Sequence, residues 1–265
     1  MQLKDYTEAQ RRAWNEVAPI HKESQFEKLL SNFKTPGYSC LDPVETELLQ
    51  KIGIQGKSVA QLACNNGREL LSVKNLGAGH CVGFDISGEF INQAKILAAE
   101  GKIDCEFQEL DVYDMPEIYN HQFDLVYITI GAICWMPDLG KLFDVIARIL
   151  KSGGSVLIYD IHPFLGMFSE LDKSDPAIPK LSYFHTEPVV DTDGGLDYYT
   201  GKTYESSARW WFHYKLSDLF EAALTRKMSI VSFQEYPDDI SNVFTHLEQQ
   251  KAQLPLCYTL VLQKK

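Results

Sequence analysis

Apolar residues recur along this chain in two rhythms that alternate. Runs of strand length fall near residues 58–63, 80–85, 104–109, 123–129 and 154–161, and between them apolar positions return at helical spacing near 67–76, 88–100 and 138–150. Strands that alternate with helices predict a parallel sheet, wound right-handed, with helices on both faces. Gly153-Gly154, after Leu150-Lys151, reads as a helix stop leading straight into the fifth strand. Ahead of this stretch, residues 1–56 form a helical preface. Thr7 is placed as the N-cap of a first helix that carries Ala13, Trp14, Val17 and Ala18 on one side until Pro19. Pro36-Gly37-Tyr38 breaks the chain before a second helix from Pro43 to Lys51, with Val44, Leu48 and Leu49 on one face.

The rhythm is lost over residues 162–208, which are rich in Asp, Gly, Tyr and Pro and in acid: Glu170, Asp172, Asp175, Glu187, Asp191, Asp193 and Asp197. This stretch reads as an insertion of two strands joined around Asp193-Gly194-Gly195. A helix over 217–227 follows, and strands over 229–236 and 257–263 are expected to pair antiparallel at a sheet edge. The expected fold is therefore α/β, a doubly wound, seven-stranded, mostly parallel sheet with an antiparallel C-terminal strand pair. Residues 1–56 form an N-terminal helical cap, and 57–265 form the main domain with 162–208 as an inserted lid after strand five.

Composition narrows the function. The chain has 265 residues and a net charge of −11, with no evident basic patch, so it is expected to take no nucleic acid. No apolar run has the length of a bilayer span and no apolar signal core follows Met1, so no membrane partner and a cytoplasmic location are expected. The six cysteines, at 40, 64, 81, 105, 134 and 257, lack Cys-x-x-Cys spacing and read as free thiols, and no cluster suggests a metal. Oligomeric state is not legible.

The chemistry lies between Ser58 and Asp111. A strand, a turn at Asn65-Asn66-Gly67, a helix and a second strand ending in Asp85 form a cradle for a nucleoside-bearing ligand, because an acid there accepts two hydrogen bonds from a ribose diol. Five parallel strands followed by an antiparallel pair, with acids ending strands two and three, resemble the class I, Rossmann-like S-adenosylmethionine-dependent methyltransferases from about Gly56 to the C-terminus. Finer motifs are similar to a bacterial subgroup of small-molecule methyltransferases: Trp14-Asn15, Cys134-Trp135-Met136-Pro137-Asp138-Leu139, His162-Pro163-Phe164 and Trp211-Phe212-His213.

The resemblance implies S-adenosyl-L-methionine as cofactor and a small-molecule acceptor. It places the methionine part against Gln61, Ala63, Asn65 and Gly67, the ribose at Asp85 and Ile86, the adenine at Asp111 and Val112, and the sulfonium beside Thr129 and Ile130. Trp14 is either a core residue or a lid on the cofactor. Trp135, Trp211 and His162 are candidates for acceptor contact, with Trp210 and Tyr183 as further aromatic walls. A general base, needed only if the acceptor loses a proton, falls on His162, oriented by Asp160, or on His213. The chain departs from the family's acid-x-Gly-x-Gly-x-Gly motif: Gln61, Ala63, Asn65 and Gly67 stand at its four positions. Ala63 and Asn65 tolerate the turn, but Gln61 carries no negative charge for the ligand's ammonium group. Two rivals follow: a non-catalytic module that binds S-adenosylmethionine or S-adenosylhomocysteine and acts through a partner, and an NAD-dependent oxidoreductase, for which the three-glycine fingerprint is missing.

Overall fold

Nine strands are present in the computed structural model, which describes residues 1–168, 178–248 and 250–265. They are β1 (Val59–Leu62), β2 (Cys81–Asp85), β3 (Glu106–Glu109), β4 (Phe123–Thr129), β5 (Leu150–Ile161), β6 (Val189–Asp191), β7 (Arg209–Trp211), β8 (Met228–Tyr236) and β9 (Cys257–Lys264). Seven of them form one sheet in the order β3-β2-β1-β4-β5-β9-β8, parallel through β5, with β9 antiparallel to both neighbours. The order reverses between β1 and β4, which pair side by side, so a crevice opens above their carboxyl ends.

Strand alternation explains the two cores. Val59, Leu125, Tyr127 and Leu157 project to the face covered by α3 (Pro43–Ile52), α4 (Arg68–Asn75) and α5 (Gly88–Gly101). Ala60, Leu62, Val126, Ile128 and Ile158 project to the other, covered by α6 (Leu139–Ile149) and α7 (Leu216–Thr225). In α6 the buried residues Leu142, Phe143, Ile146 and Ile149 recur at helical spacing, and Asp138 caps its start by accepting from the Lys141 amide at 2.9 Å.

Three local expectations are corrected. The first helix, α1 (Leu3–His21), begins before Thr7 and runs through Pro19. Thr7 turns its hydroxyl back to the Lys4 carbonyl at 3.4 Å inside the helix, and the Gln2 amide donates to Asp5 at 2.7 Å at the true start. Pro19 removes one helical donor, and the backbone continues past it into a π-turn at Lys22–Phe26 and then α2 (Glu27–Phe33). Gly153-Gly154 does not cap α6. The strand starts at Leu150, and the register shift between Phe123 and Leu125 makes the glycine pair part of a bulge, with Gly153 at φ 74°.

The insertion contains two strands, β6 and β7, paired antiparallel and joined by residues 192–208, which include Asp193-Gly194-Gly195. Glu170, Asp172, Lys173 and Asp175 lie outside the described residues. Phe33, Leu49 and Ile54 of the preface pack into the core beneath α4 and α5. Among the described residues no helix is long and apolar enough to cross a membrane.

Candidate active site

The turn after β1 is built by backbone that few side chains tolerate. Ala63 (φ 52°), Asn65 (φ 50°) and Gly67 (φ 73°) all take left-handed conformations. The Asn65 side chain accepts from the Asn66 amide at 2.8 Å, and the Gly67 amide closes on the Cys64 carbonyl at 2.8 Å. At Gly67 a side chain is excluded, since a Cβ would lie 2.4 Å from the Phe107 ring. The turn delivers α4 with its N-terminus at the crevice. Gln61 is 1% exposed and its Oε1 has no hydrogen-bond partner.

Asp85 ends β2 almost fully buried. One carboxylate oxygen accepts from the Asn65 amide at 2.7 Å and the other from the Ser87 amide at 2.8 Å. Burial pushes its pKa up to about 6, against the pull of those amides. A carboxylate has about four acceptor sites, so both oxygens retain capacity for a diol. Ile86 follows it half-buried, and the Ser87 hydroxyl reaches the Asn15 side chain of α1 at 2.6 Å. Asp111 accepts from the Tyr113 amide at 3.0 Å and is held at 2.8 Å by Lys4, which also reaches Asp114. Val112 is buried beside it. At the end of β4, Thr129 donates to Glu45 at 3.2 Å, and Ile130 (φ 36°) and Gly131 (φ 75°) turn the chain out of the sheet. Asp160 secures that turn: it accepts from the amides of Gly131, Ile133 (3.0 Å) and Ile161 (2.7 Å).

Asp160 is thereby occupied with backbone, and the expected Asp160–His162 pair is replaced by another. His162 Nδ1 accepts from the Phe164 amide at 3.1 Å, so Nε2 carries the proton that it directs to Glu235 at 3.0 Å. Both ring nitrogens are engaged. His213 donates from Nε2 to the Tyr183 carbonyl at 2.8 Å, which leaves Nδ1 as its basic nitrogen, and it lines a groove with Pro137, Asp138 and Lys215 at the start of α6 and along α7. Burial lowers the pKa of both histidines.

Aromatic side chains join α1, the insertion and the loop after β4. Trp14 meets Trp135 edge to face at 5.5 Å and Phe90 at 6.1 Å. Trp211 is half-buried at the end of β7, and the next residue, Phe212, donates its amide to the Cys134 carbonyl at 2.7 Å. Gln10 of α1 donates to the Trp210 carbonyl, and Glu16 accepts from the Ser207 amide at 2.8 Å.

Three residues at this site escaped the sequence reading. Glu45 and Arg68 lie at the starts of α3 and α4. Arg68 bonds Glu69 at 2.6 Å and the Tyr199 hydroxyl of the insertion at 3.0 Å. His21, 3% exposed, donates from Nε2 to the Leu196 carbonyl at 3.1 Å and leaves Nδ1 buried without a partner, with the Tyr198 and Tyr199 rings 4.6 and 4.8 Å away. None sits in a motif, because each acts through a contact across long sequence distance.

The cradle, the strand order and the reversal between β1 and β4 define a Rossmann-like methyltransferase fold. Residues 59–154, which span β1 to the start of β5, match the family described as Methyltransferase domain. The tRNA U34 carboxymethyltransferase of Campylobacter hominis is 31% identical over 130 residues, covering 49% of this chain and 43% of that protein. The chain spans about half, or less, of the length of the curated relatives it matches. Among solved structures, an S-adenosylmethionine-dependent methyltransferase from Mesorhizobium loti superposes with a TM-score of 0.56 at 16% identity, covering 82% of this chain and 96% of the other. Geranyl diphosphate C-methyltransferase from Streptomyces coelicolor A3(2), in complex with Mg2+, geranyl diphosphate and S-adenosyl-L-homocysteine, superposes at 0.58 with 12% identity, covering 84% and 79%. Residues 59–154 thus match a methyltransferase domain, and the fold is the one shared with S-adenosylmethionine-dependent methyltransferases. The residues present fit S-adenosylmethionine: a left-handed turn after β1, spare acceptor capacity on Asp85, and an orphaned buried acceptor on Gln61.

Proposed function

We propose that this protein transfers a methyl group from S-adenosylmethionine to a small-molecule acceptor held beneath α1 and the insertion. The observation that carries the acceptor class is the set of bonds that ties these two elements together and to the loop after β4: Gln10 to Trp210, Ser207 to Glu16, and Phe212 to Cys134. They make a roof over the strand ends, and the net charge of −11 disfavours a polyanion.

When bound, the cofactor supplies an electrophilic methyl group, so the protein's task is to bind, orient and exclude water. Gln61, Ala63, Asn65 and Gly67 receive the amino acid part, Asp85 and Ile86 the ribose, and Asp111 and Val112 the adenine. Thr129, Ile130 and Trp14 border the reacting centre. Trp135 and Trp211 supply flat walls for the acceptor, which also suit a cation. Where the acceptor must lose a proton, His213 is the better placed of the two expected bases, since its Nδ1 keeps a lone pair while His162 is engaged at both nitrogens.

The name of the Campylobacter hominis relative keeps a tRNA acceptor as the rival reading. The test is incubation with methyl-labelled S-adenosylmethionine and, in separate reactions, a low-molecular-weight metabolite fraction or bulk tRNA. Label in the metabolite fraction is expected. Label in tRNA would overturn the small-molecule reading, and tight cofactor binding without transfer to either would favour a non-catalytic module.

A further inference from the structure

Register places Gln61 beside Tyr127, and Thr129 beside Tyr159, on adjacent parallel strands. Strand alternation sends all four side chains to the face covered by α3 and α4. Onto their tips α3 delivers Glu45, a residue of the preface that is 3% exposed. Its Oε1 accepts from the Tyr127 hydroxyl and, at 3.2 Å, from Thr129 Oγ1, and its Oε2 takes a long bond of 3.4 Å from the Asp42 amide. Among the described residues no cation pairs with it. The guanidinium at the start of α4, Arg68, is taken by Glu69 at 2.6 Å, and Asp42 is taken by the Tyr159 hydroxyl at 2.8 Å. A buried carboxylate without a counter-ion therefore stands at the switch point between β1 and β4. Gln61, paired in register with the Tyr127 that bonds Glu45, has its side-chain carbonyl oxygen buried with no donor at all.

A buried charge without a counter-ion and an unmet acceptor call for a group with several donors and a positive charge. A primary ammonium has three donors and no acceptor. We propose that Glu45 supplies from α3 the negative charge that Gln61 does not, and that Glu45 and Gln61 together receive the α-ammonium of the cofactor's amino acid part. This rests on the methyltransferase reading. It also makes α3 part of the cofactor site, so the preface contributes charge as well as cover.

The electrostatics agree with this placement. Burial drives the Glu45 pKa up to about 7, partly offset by the Tyr127 hydroxyl and reinforced by Glu69 and Asp42. The groups facing it are Asp42 on its own helix, Arg68 and Glu69 on α4, Tyr127 on β4, Tyr159 on β5 and Cys40 before α3. An arriving ammonium stabilises the carboxylate, so binding near neutral pH expels a proton.

Calorimetry separates the parts of the ligand. S-Adenosylhomocysteine carries the amino acid, whereas 5′-methylthioadenosine has the same nucleoside and lacks it. Glu45→Gln is expected to weaken S-adenosylhomocysteine by about tenfold or more and to leave 5′-methylthioadenosine within about twofold. Gln61→Glu in the Glu45→Gln background is expected to recover part of the loss. On the unaltered protein, titration in two buffers of different ionisation enthalpy at about pH 7 should show proton release with S-adenosylhomocysteine and none with 5′-methylthioadenosine. Equal S-adenosylhomocysteine affinity in wild type and Glu45→Gln, or no proton release in wild type, would overturn the assignment while the cofactor stands. Failure of wild type to bind S-adenosylhomocysteine would overturn the cofactor reading and this assignment with it.

Discussion

Trp14 of α1 and Trp135 of the loop after β4 meet edge to face, with ring centroids 5.5 Å apart and planes at 85°. The pair is the joint at which the preface touches the mouth of the sheet, and Phe90 backs it at 6.1 Å. Such pairs contribute about 0.5 to 1.5 kcal/mol beyond the area they bury. A double-mutant cycle on Trp14→Ala and Trp135→Ala, read from urea midpoints, is expected to give a coupling of that size. Additive effects would mean that α1 docks without help from the loop.

Asp85 should dominate the ribose end of the site. Both its oxygens retain acceptor capacity beside their backbone donors, and charge-assisted hydrogen bonds contribute roughly 1.5 to 3 kcal/mol. Asp85→Ala is expected to weaken S-adenosylhomocysteine by about tenfold or more in calorimetry. Because the same carboxylate holds the Asn65 amide, the substitution should also loosen the turn after β1, which hydrogen exchange at residues 63–67 would report. Unchanged affinity would remove Asp85 from the site.

The main sheet was legible because its strands are short apolar runs separated by helical periodicity, and the acid at Asp85 follows from its place at a strand end. Boundaries failed where tertiary contact outweighed local signal. Thr7 looks like a cap and Pro19 like a stop, yet α1 runs through both because Val17, Ala18 and His21 are buried against α5 and the insertion. The charge at Glu45 was invisible for a related reason. On paper it is one acid in an amphipathic helix, and only the packing of α3 onto β4 brings it to the Tyr127 and Thr129 hydroxyls. His162 marks the opposite error: a motif neighbour of Asp160 in sequence, it turns to Glu235 because Asp160 is committed to three amides.

Glu45 should cost stability in proportion to its charge. Its folded pKa, about 7, lies above the usual value of 4.5, so the native state binds more protons than the unfolded state between these limits. Stability from this group is present below about pH 4.5 and is lost as pH rises through about 7, to the extent of roughly 3 kcal/mol. Asp85 acts in the same direction over a lower window, with its pKa raised from 3.8 to about 6. Glu45→Gln keeps an acceptor for the two hydroxyls and removes the charge. The variant is expected to melt higher than wild type at about pH 8, with the difference shrinking toward about pH 5. A pH-independent difference would show that burial of the charge is not its cause.

Gly67 sets a steric test of the turn. At φ 73° any side chain is strained, and a Cβ there would fall 2.4 Å from Phe107 and 3.0 Å from the Ala94 methyl. The left-handed penalty of about 1 to 2 kcal/mol and an overpacking cost of about 1 to 3 kcal/mol act together. Gly67→Ala is expected to lose about 2 to 4 kcal/mol in urea denaturation. A loss under about 1 kcal/mol would mean that Phe107 has room to yield.

Arg209 is the residue on which the insertion's fold depends most. It is 1% exposed at the start of β7, yet it is ringed by acceptors: the Asp191 carboxylate, the Ser206 hydroxyl at 2.9 Å, and the carbonyls of Asp193 and Gly195 at 3.0 and 2.9 Å. One guanidinium thus pins both ends of the segment between β6 and β7. Arg209→Met keeps much of the apolar stem but strands two carbonyls and a carboxylate. Losing one partner of a buried ion pair costs about 3 to 5 kcal/mol, and the lower end applies because the Asp191 side chain is 38% exposed and water recovers part of the loss. The damage should stay local, since β6 and β7 form their own two-stranded sheet, separate from the seven-stranded one. Limited proteolysis is expected to cut Arg209→Met within residues 178–208 while the thermal midpoint of the main sheet falls only slightly. Resistance equal to wild type would show that α1, through Gln10 and Glu16, holds the insertion without Arg209.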